Sequence, residues 1–570
     1  MQTFNTLNNI ERQFGKNFIT LTPNDLNATE DMKSAFFVYV TETDCVFLIN
    51  ESLTELALLF LIANIENYES KALEFANDKK SIDTQLLKSS IQLHKAKSDV
   101  VLNIIETASL QKKDNNIDSG NDDYELWDEL LLYCHKYNVS DIHIMVERAN
   151  THIKVRVNRE LRPYGGDQNF DKLKNLFRRV YSILGSEDGI IQGKSFDAKQ
   201  KQDATLYRNI GELRLGVRWV SITKDGTEDN FAIKCRFLGD QKQKTTRIAF
   251  EKLGFILNQA QLILESIEAK GINLIIGETS SGKSVTLVNL LLWIYEKAKG
   301  TRSVYSFENP IERRIDGVEQ YTLPTGGDKT EEELLKMVGD ILSYFYRGDP
   351  ETVAVGEMRD KLSVKAGEDL GNTGHNVHAT LHCEYPIDVP QRLISLGGNP
   401  RLVYKTLNLC IAQSLLKGLC PHCCYGLDDI NSPDTEFKMT SDIYAIIDKL
   451  IDMNLEKMLP NIRFRNAKGC EHCNPTGDKT PLYGLSFPQL VSEVMTYDKE
   501  ILQHLTNDNP IEAEKYWLEN KNITKTDVAL YKANKGLIDL RTCLEAIGDI
   551  RKTYLIREKN GIPHFDPTVG

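Results

Sequence analysis

The chain predicts an α/β protein: a mostly parallel sheet built round a phosphate-binding loop, preceded by a small α+β domain and followed by a mainly helical part. Three observations carry this. The octet Gly277-Glu278-Thr279-Ser280-Ser281-Gly282-Lys283-Ser284 fits G-x4-G-K-[ST]. Strand and helix signals alternate from about Phe250 to Leu419. Two Cys-x-x-Cys pairs stand beyond that stretch, at Cys420 and Cys470.

Composition sets the frame. The 570 residues suffice for several domains, and 41% hydrophobic with 26% charged residues is the balance of an ordinary globular protein. The formal net charge of −12 speaks against a general phosphate-backbone binder, so no nucleic acid is expected. No secretory signal is read at Met1-Gln-Thr-Phe-Asn. The most apolar run, Leu56 to Ile65, is shorter than the roughly 20 residues of a membrane span and reads as a buried helix. A cytoplasmic protein with at most peripheral membrane contact is expected. An odd count of 11 cysteines suits no disulfide framework.

Residues 1–112 form a first region, with apolar segments at 35–40 and 45–49 and a charged helical stretch from about Ala72 to Leu110. The polar residues 113–123 read as a linker. Residues 124–240 begin with a helix, Tyr124 to Tyr137. Two strand pairs follow, 141–146 with 151–157 and 212–220 with 231–237. Residues 241–249 are a basic connector, 250–419 the α/β core, and 420–570 a helical part carrying the cysteine pairs.

The octet's flanks give it meaning. Ile272 to Ile276 is an apolar strand, and Ser284 to Lys299 a helix that Gly300 ends. Strand, glycine turn and helix N-terminus aim the amides of Gly277 to Val285 at one spot, where the helix dipole also favours a polyphosphate. Lys283 then reaches the outer phosphates, and Ser284 is placed to ligate Mg2+. Val353-Ala-Val-Gly-Glu357 is an apolar strand ending in a carboxylate suited to that metal. Val304-Tyr-Ser-Phe-Glu308 is a second; Glu308 suits a general base, with a solvated strand end as the plain alternative. Among the nearby histidines, His375 and His382 are candidates to contact phosphate oxygens or the two carboxylates.

The ordered set GETSSGKS, SFENPIE, RGDPETVAVGEMRD and TGHNVHATLH resembles the phosphate loop, aspartate box, Walker B segment and histidine box of the secretion and type IV pilus ATPase superfamily. Upstream, Val139-Ser-Asp-Ile-His143, Ile153 to Val157, Gln202-Asp203, Leu213-Arg214 and Phe250 to Phe255 resemble further pieces of it, as does Ile411 to Cys423 downstream. The resemblance covers about residues 124–550. It implies a RecA-like P-loop motor domain behind a PAS-like α+β domain. It also implies a homohexameric ring, with ATP bound between the two domains and at subunit boundaries. Arginines of the upstream domain then help to close the site: Arg156, Arg214 and Arg236 by motif position, Arg218 and Arg247 by position alone. The implied partners are an inner-membrane platform protein and a cytoplasmic adaptor, with residues 1–112 as the docking region.

Departures are few. Asn309 stands where the family commonly has Asp, which leaves the acid work to Glu308 and Glu312. Glu351 replaces a usual Asp, Ser414 a common Arg, and Asn158-Arg159 stands where the upstream hairpin often has Asp-Gly.

Cys420, Cys423, Cys470 and Cys473 offer two pairs of thiolates to one ion, an S4 set for Zn2+. The 46 residues between the pairs exceed a compact zinc ribbon, and thiol redox chemistry is the competing reading. The resemblance favours zinc, because assembly and export members often carry such a tetracysteine element. The expected function is a hexameric ATPase that drives type IV pilus or type II secretion pseudopilus assembly. A DNA-transfer ATPase on the same plan and a nucleotide-gated scaffold with little turnover are the alternatives.

Overall fold

The computed structural model describes residues 3–4, 19–21, 36–40, 45–50, 91–96 and 122–569, apart from 149, 166–168, 188–189, 192–195, 228, 309–310, 312, 323–330, 431–436 and 474–482. The expected helix at Leu56 to Ile65, Asn309 and Glu312 lie outside the described residues.

The first region forms a five-stranded sheet in the order Thr3–Phe4, Ile91–Ala96, Cys45–Asn50, Phe36–Val40, Ile19–Leu21. This corrects the helix expected from Ala72 to Leu110, because Ile91–Ala96 is a strand parallel to Cys45–Asn50. Ile91 and Leu93 alternate with Gln92 and His94 at period two, a signal the charged flanks obscure.

The upstream domain is a seven-stranded sheet in the order Glu160–Tyr164, His152–Val157, Asp141–Val146, Phe231–Asp240, Leu213–Thr223, Gln202–Ile210, Ile190–Ile191. All its pairs are antiparallel. Both expected hairpins are present. The strand Gln202–Ile210, represented in the sequence reading only by Gln202-Asp203, extends the sheet. One sheet face packs on the helices Asp122–Lys136 and Phe170–Glu187 through Trp127, Phe177, Tyr181 and Trp219, all fully buried. Trp127 meets Phe177 edge-on at 6.1 Å, a geometry that aromatic quadrupoles favour.

The motor sheet has the order Glu319–Thr322, Val304–Glu308, Thr352–Val355, Asn376–Leu381, Gly271–Ile276, Leu407–Leu419, Leu485–Thr496. The first six strands are parallel, and Leu485–Thr496 runs antiparallel at the edge. Gly271–Ile276 and Asn376–Leu381 are buried at every position, as interior strands of a parallel sheet are; the first is apolar but for Asn273, while the second alternates Val377, Ala379 and Leu381 with the buried polar residues Asn376, His378 and Thr380. The sheet thus continues beyond residue 419, into a part expected to be mainly helical. Pro488 weakens the strand signal of Leu485–Thr496, yet an edge strand tolerates a residue that cannot donate to the ladder. Helices do dominate the rest, among them Ser441–Asp452, Lys525–Asn534 and Lys552–Asn560, around Ile443, Leu450, Met458, Phe464 and Val528.

Candidate nucleotide site and cysteine cluster

The loop of the octet joins the interior strand Gly271–Ile276 to the helix Lys283–Lys297. Gly277 has φ +146°, a conformation L side chains rarely adopt, and a Cβ there would collide with the Gln413 carbonyl. Gln413, on the neighbouring strand, braces the loop: its Nε2 donates to the Ser281 carbonyl at 2.8 Å, and its Oε1 accepts from Thr286 Oγ1 at 2.9 Å. The helix opens at Gly282 with no side-chain cap. Its first-turn amides, at Lys283, Ser284 and Val285, are therefore available to an anion. Glu278, Thr279, Ser284 and Val285 are exposed, so the loop's outer side is open. Ser281 Oγ is buried without a hydrogen-bond partner there.

Lys283 is buried, and its Nζ donates to the carbonyls of Gly277 and Glu278, both at 2.8 Å. Burial pushes its pKa down to about 8, while Glu357 opposes the shift and Arg236 adds to it. A bound polyphosphate would add negative charge beside the ammonium and favour its charged form.

Glu357 lies just past Thr352–Val355, and His382 just past Asn376–Leu381. His382 Nε2 and Glu357 Oε1 are 2.8 Å apart. Burial lowers the imidazole's pKa and Lys283 adds to that, against the Glu357 charge and a contact with the Gly277 backbone. Glu308 ends Val304–Glu308 on the same sheet edge, where its Oε1 accepts from Ser306 Oγ at 2.7 Å and Gln320 Nε2 at 2.9 Å. Gly356 N donates to the Phe307 carbonyl at 2.8 Å, which sets Glu308 beside Gly356 and Glu357. Three strand ends thus bring Glu308, Glu357 and His382 to the edge where the phosphate loop begins.

His375 is a correction. Its carbonyl accepts from Gly271 N at 3.0 Å, at the start of the loop strand. Its ring nitrogen Nδ1 lies 2.9 Å from Thr373 Oγ1 and 3.1 Å from the Leu370 carbonyl. About 20 Å of strand separates it from Gly277 within the chain. Sequence proximity to His382 is misleading, because an extended strand carries its two ends to opposite edges of a sheet.

The upstream arginines split into groups. Cross-strand register sets Arg218 beside Arg236, Arg236 beside Asp141, and Asp141 beside Arg156, one row on one sheet face. Asp141 is the acid in that row, with Arg156 Nε 3.4 Å from its Oδ2. The Arg236 charge helps to lower the Lys283 pKa, so Arg236 lies within electrostatic reach of the loop lysine of its own chain. Arg214 lies instead with its guanidinium 5.0 Å from the Tyr207 ring. Arg247 pairs with Glu296 at 2.6 Å, at the far end of the loop helix, away from the site. Arg159, named in the sequence reading only as a departure from Asp-Gly, has its pKa lowered by burial, against the charges of Glu278 and Glu545.

The four cysteines of the two pairs converge, with all sulfur atoms within 4.8 Å of one another. The separations Cys420–Cys470, Cys423–Cys473 and Cys470–Cys473 are 3.9, 3.7 and 3.8 Å. A tetrahedral S4 site with Zn–S near 2.3 Å has edges of about 3.8 Å, so the residues fit zinc. A disulfide needs about 2.05 Å. The amides of Cys470 and Gly484 donate to Cys473 Sγ at 3.2 and 3.1 Å, and the rings of His422 and His472 stack at 3.8 Å beside the cluster.

Comparison with known proteins gives one family, described as "Type II/IV secretion system protein", whose model matches residues 124–544. Type II secretion system protein E of Aeromonas hydrophila is 28% identical over 60% of this chain and 60% of its own length. Type IV pilus assembly ATPase PilB of Thermus thermophilus is 26% identical over 71% of this chain and 41% of its own. The chain thus spans under two thirds of these relatives. Among solved structures, the Legionella pneumophila ATPase DotB is 20% identical with a TM-score of 0.47, covering 73% of this chain and 94% of that one.

Proposed function

The chain belongs to the Type II/IV secretion system protein family, and from that premise we propose that it is an ATP-hydrolysing motor that works as a ring of six copies. Its task in this reading is assembly of a type IV pilus or of a type II secretion pseudopilus. The observation that carries the chemistry is the meeting of Lys283, Glu357, His382 and Glu308 at one sheet edge around an open, glycine-built loop.

Lys283 leaves the Gly277 and Glu278 carbonyls for the outer phosphates, and the amides from Gly277 to Val285 hold the chain of phosphates. Ser284 and Glu357 would hold Mg2+, which supplies charge neutralisation at the β- and γ-phosphates. His382 keeps the Glu357 carboxylate oriented from its Nε2. Glu308 orients water and accepts its proton as the oxygen attacks the γ-phosphorus in line. The bond to the β-phosphate oxygen breaks, and ADP and inorganic phosphate leave. The row of Arg156, Arg218 and Arg236 adds positive charge as the upstream domain closes.

Cys420, Cys423, Cys470 and Cys473 hold a structural zinc in this reading, since four thiolates leave no open position. Residues 1–112 dock an inner-membrane platform protein or an adaptor, at the cytoplasmic side of the membrane. Among the described residues no helix is long and apolar enough to cross a membrane.

Phosphate release by the full-length protein, with particle imaging in a nonhydrolysable ATP analogue, tests the reading. Six-membered rings are expected, with turnover that falls roughly 100-fold or more in Lys283→Ala at unchanged melting temperature. Wild-type turnover in that variant, or a monomer that binds no nucleotide, overturns the motor. DNA-stimulated turnover would favour a translocase, and binding without turnover, even with the platform's cytoplasmic domain, a scaffold.

A further inference from the structure

Lys525 is the first residue of the helix Lys525–Asn534 and is only 3% exposed. Both placements are costly, because an ammonium is disfavoured away from water and at the positive end of a helix dipole. Its Nζ donates to the Glu384 carbonyl at 2.9 Å and lies over the Tyr385 ring, 4.6 Å from the centroid. Lys552, exposed at the start of Lys552–Asn560, places a second ammonium 4.6 Å from the same centroid. The negative face of the ring attracts each cation against their mutual repulsion. The two helices that carry the lysines are joined to each other. Arg557 Nη2 meets Asp527 Oδ2 at 2.8 Å with both side chains buried, and Thr524 Oγ1 lies 3.3 Å from Thr553 Oγ1. Parting that ion pair would leave two buried charges unpaired, so the two lysines move as one unit.

The segment they hold follows His382 directly. Tyr497, buried on the edge strand, adds a third grip: its hydroxyl donates to the Pro386 carbonyl at 2.6 Å. The strand Asn376–Leu381 ends one residue before His382, and Arg392 Nε donates to the His382 carbonyl at a long 3.3 Å. The side chains of His382 and Glu357 are 43% and 35% exposed. Packing therefore leaves the imidazole room to turn, and the backbone on either side of it decides where it points. On one side that backbone is fixed by the sheet. On the other it is fixed at Glu384, Tyr385 and Pro386.

We propose that Lys525 and Lys552 are positioning residues for the reaction: clamped on Tyr385 and the Glu384 carbonyl, they fix the backbone just past His382 and so keep its imidazole on Glu357. The C-terminal helices are then a working part of the nucleotide site, although none of their residues touches it. Loosening the clamp lets His382 leave the carboxylate and slows the chemical step, while the phosphate loop binds nucleotide as before. This rests on the nucleotide-site reading above.

The test uses the full-length protein with Lys525→Met, Lys552→Met, Tyr385→Phe and Tyr385→Leu, and with Lys525→Met added to His382→Gln. Phosphate release over a range of ATP concentrations gives kcat and KM, read beside melting temperature and hydrogen exchange of residues 381–387. Lys525→Met and Tyr385→Leu are expected to lower kcat about tenfold, and Lys552→Met about threefold, with KM and melting temperature near those of the wild type. Lys552 is exposed, so its variant decides the matter should Lys525→Met not fold. Tyr385→Phe keeps the ring and is expected to match the wild type. Lys525→Met is expected to add nothing to the loss in His382→Gln, since it acts through that side chain. Unchanged kcat in Lys525→Met and Lys552→Met, losses that multiply with that of His382→Gln, or a kcat that merely follows melting temperature overturns the proposal. A wild-type protein that neither binds nor hydrolyses ATP overturns the nucleotide reading instead. Faster exchange at 381–387 in Lys552→Met, at unchanged melting temperature, then leaves the clamp standing, and unchanged exchange removes it too.

Discussion

The Lys283 ammonium donates to two carbonyls, and burial brings its pKa down to about 8. A polyphosphate favours the charged form, so above pH 8 binding must take up a proton. Affinity for an ATP analogue is therefore expected to hold from pH 6 to 7.5 and to fall above 8, by at most about tenfold per pH unit. Calorimetric titration at pH 7 and 9, in buffers of different ionisation enthalpy, reads both the affinity and the proton. A flat affinity with no proton uptake would mean that the lysine does not meet the phosphates. His382 shows the same economy: an imidazole kept neutral by burial and by Lys283 orients Glu357 without adding a charge. His375, seven positions earlier, shares no part of this environment.

At the level of elements, the strand Leu485–Thr496 carries a cost. Glu493 is buried on it, with Oε2 lacking a hydrogen-bond partner. Burial raises its pKa to about 7; Lys525 opposes that, and Glu514 and Asp527 add to it. The folded state therefore binds a proton that the unfolded state, titrating near 4.5, has released. Stability contributed by this group is fully present below about pH 4.5 and is lost as pH rises through 7. Glu493→Gln is expected to gain on the wild type between pH 5 and 8 by on the order of 2 kcal/mol, read as the change in the gap between urea-unfolding curves. A gap independent of pH would show that Glu493 is ionised in the folded protein. Gln413 is the opposite case on the adjacent strand, a buried polar group with both functions satisfied by the phosphate loop.

For the whole molecule, the cysteine cluster ties the sequence-distant segments around residues 420 and 470 to the end of the motor sheet. Elemental analysis is expected to find about one zinc per chain, and a chelator to lower the melting temperature, since a structural site contributes its binding free energy to folding. A metal-free protein that melts unchanged would remove zinc from the account. The same cluster adjoins Tyr483, whose carbonyl accepts from Arg465, and Arg465 pairs with Glu160 of the upstream domain, so metal removal is also expected to loosen the hairpin at Glu160.

Local rules were enough to find the phosphate loop, its strand and helix, the acidic strand ends and the paired thiols, because turn chemistry, buried-strand runs and Cys-x-x-Cys spacing act over a few residues. The strand Ile91–Ala96 and the edge strand Leu485–Thr496 were hidden by charged neighbours and by a proline, and only their pairing partners make them strands. Which histidine meets the carboxylate, which arginines share one sheet face, and that Glu160 reaches Lys417 and Arg465 were settled by strand direction, register and the packing of one domain on the other. Those depend on contacts between residues hundreds of positions apart, and the sequence states the partners without stating the pairing.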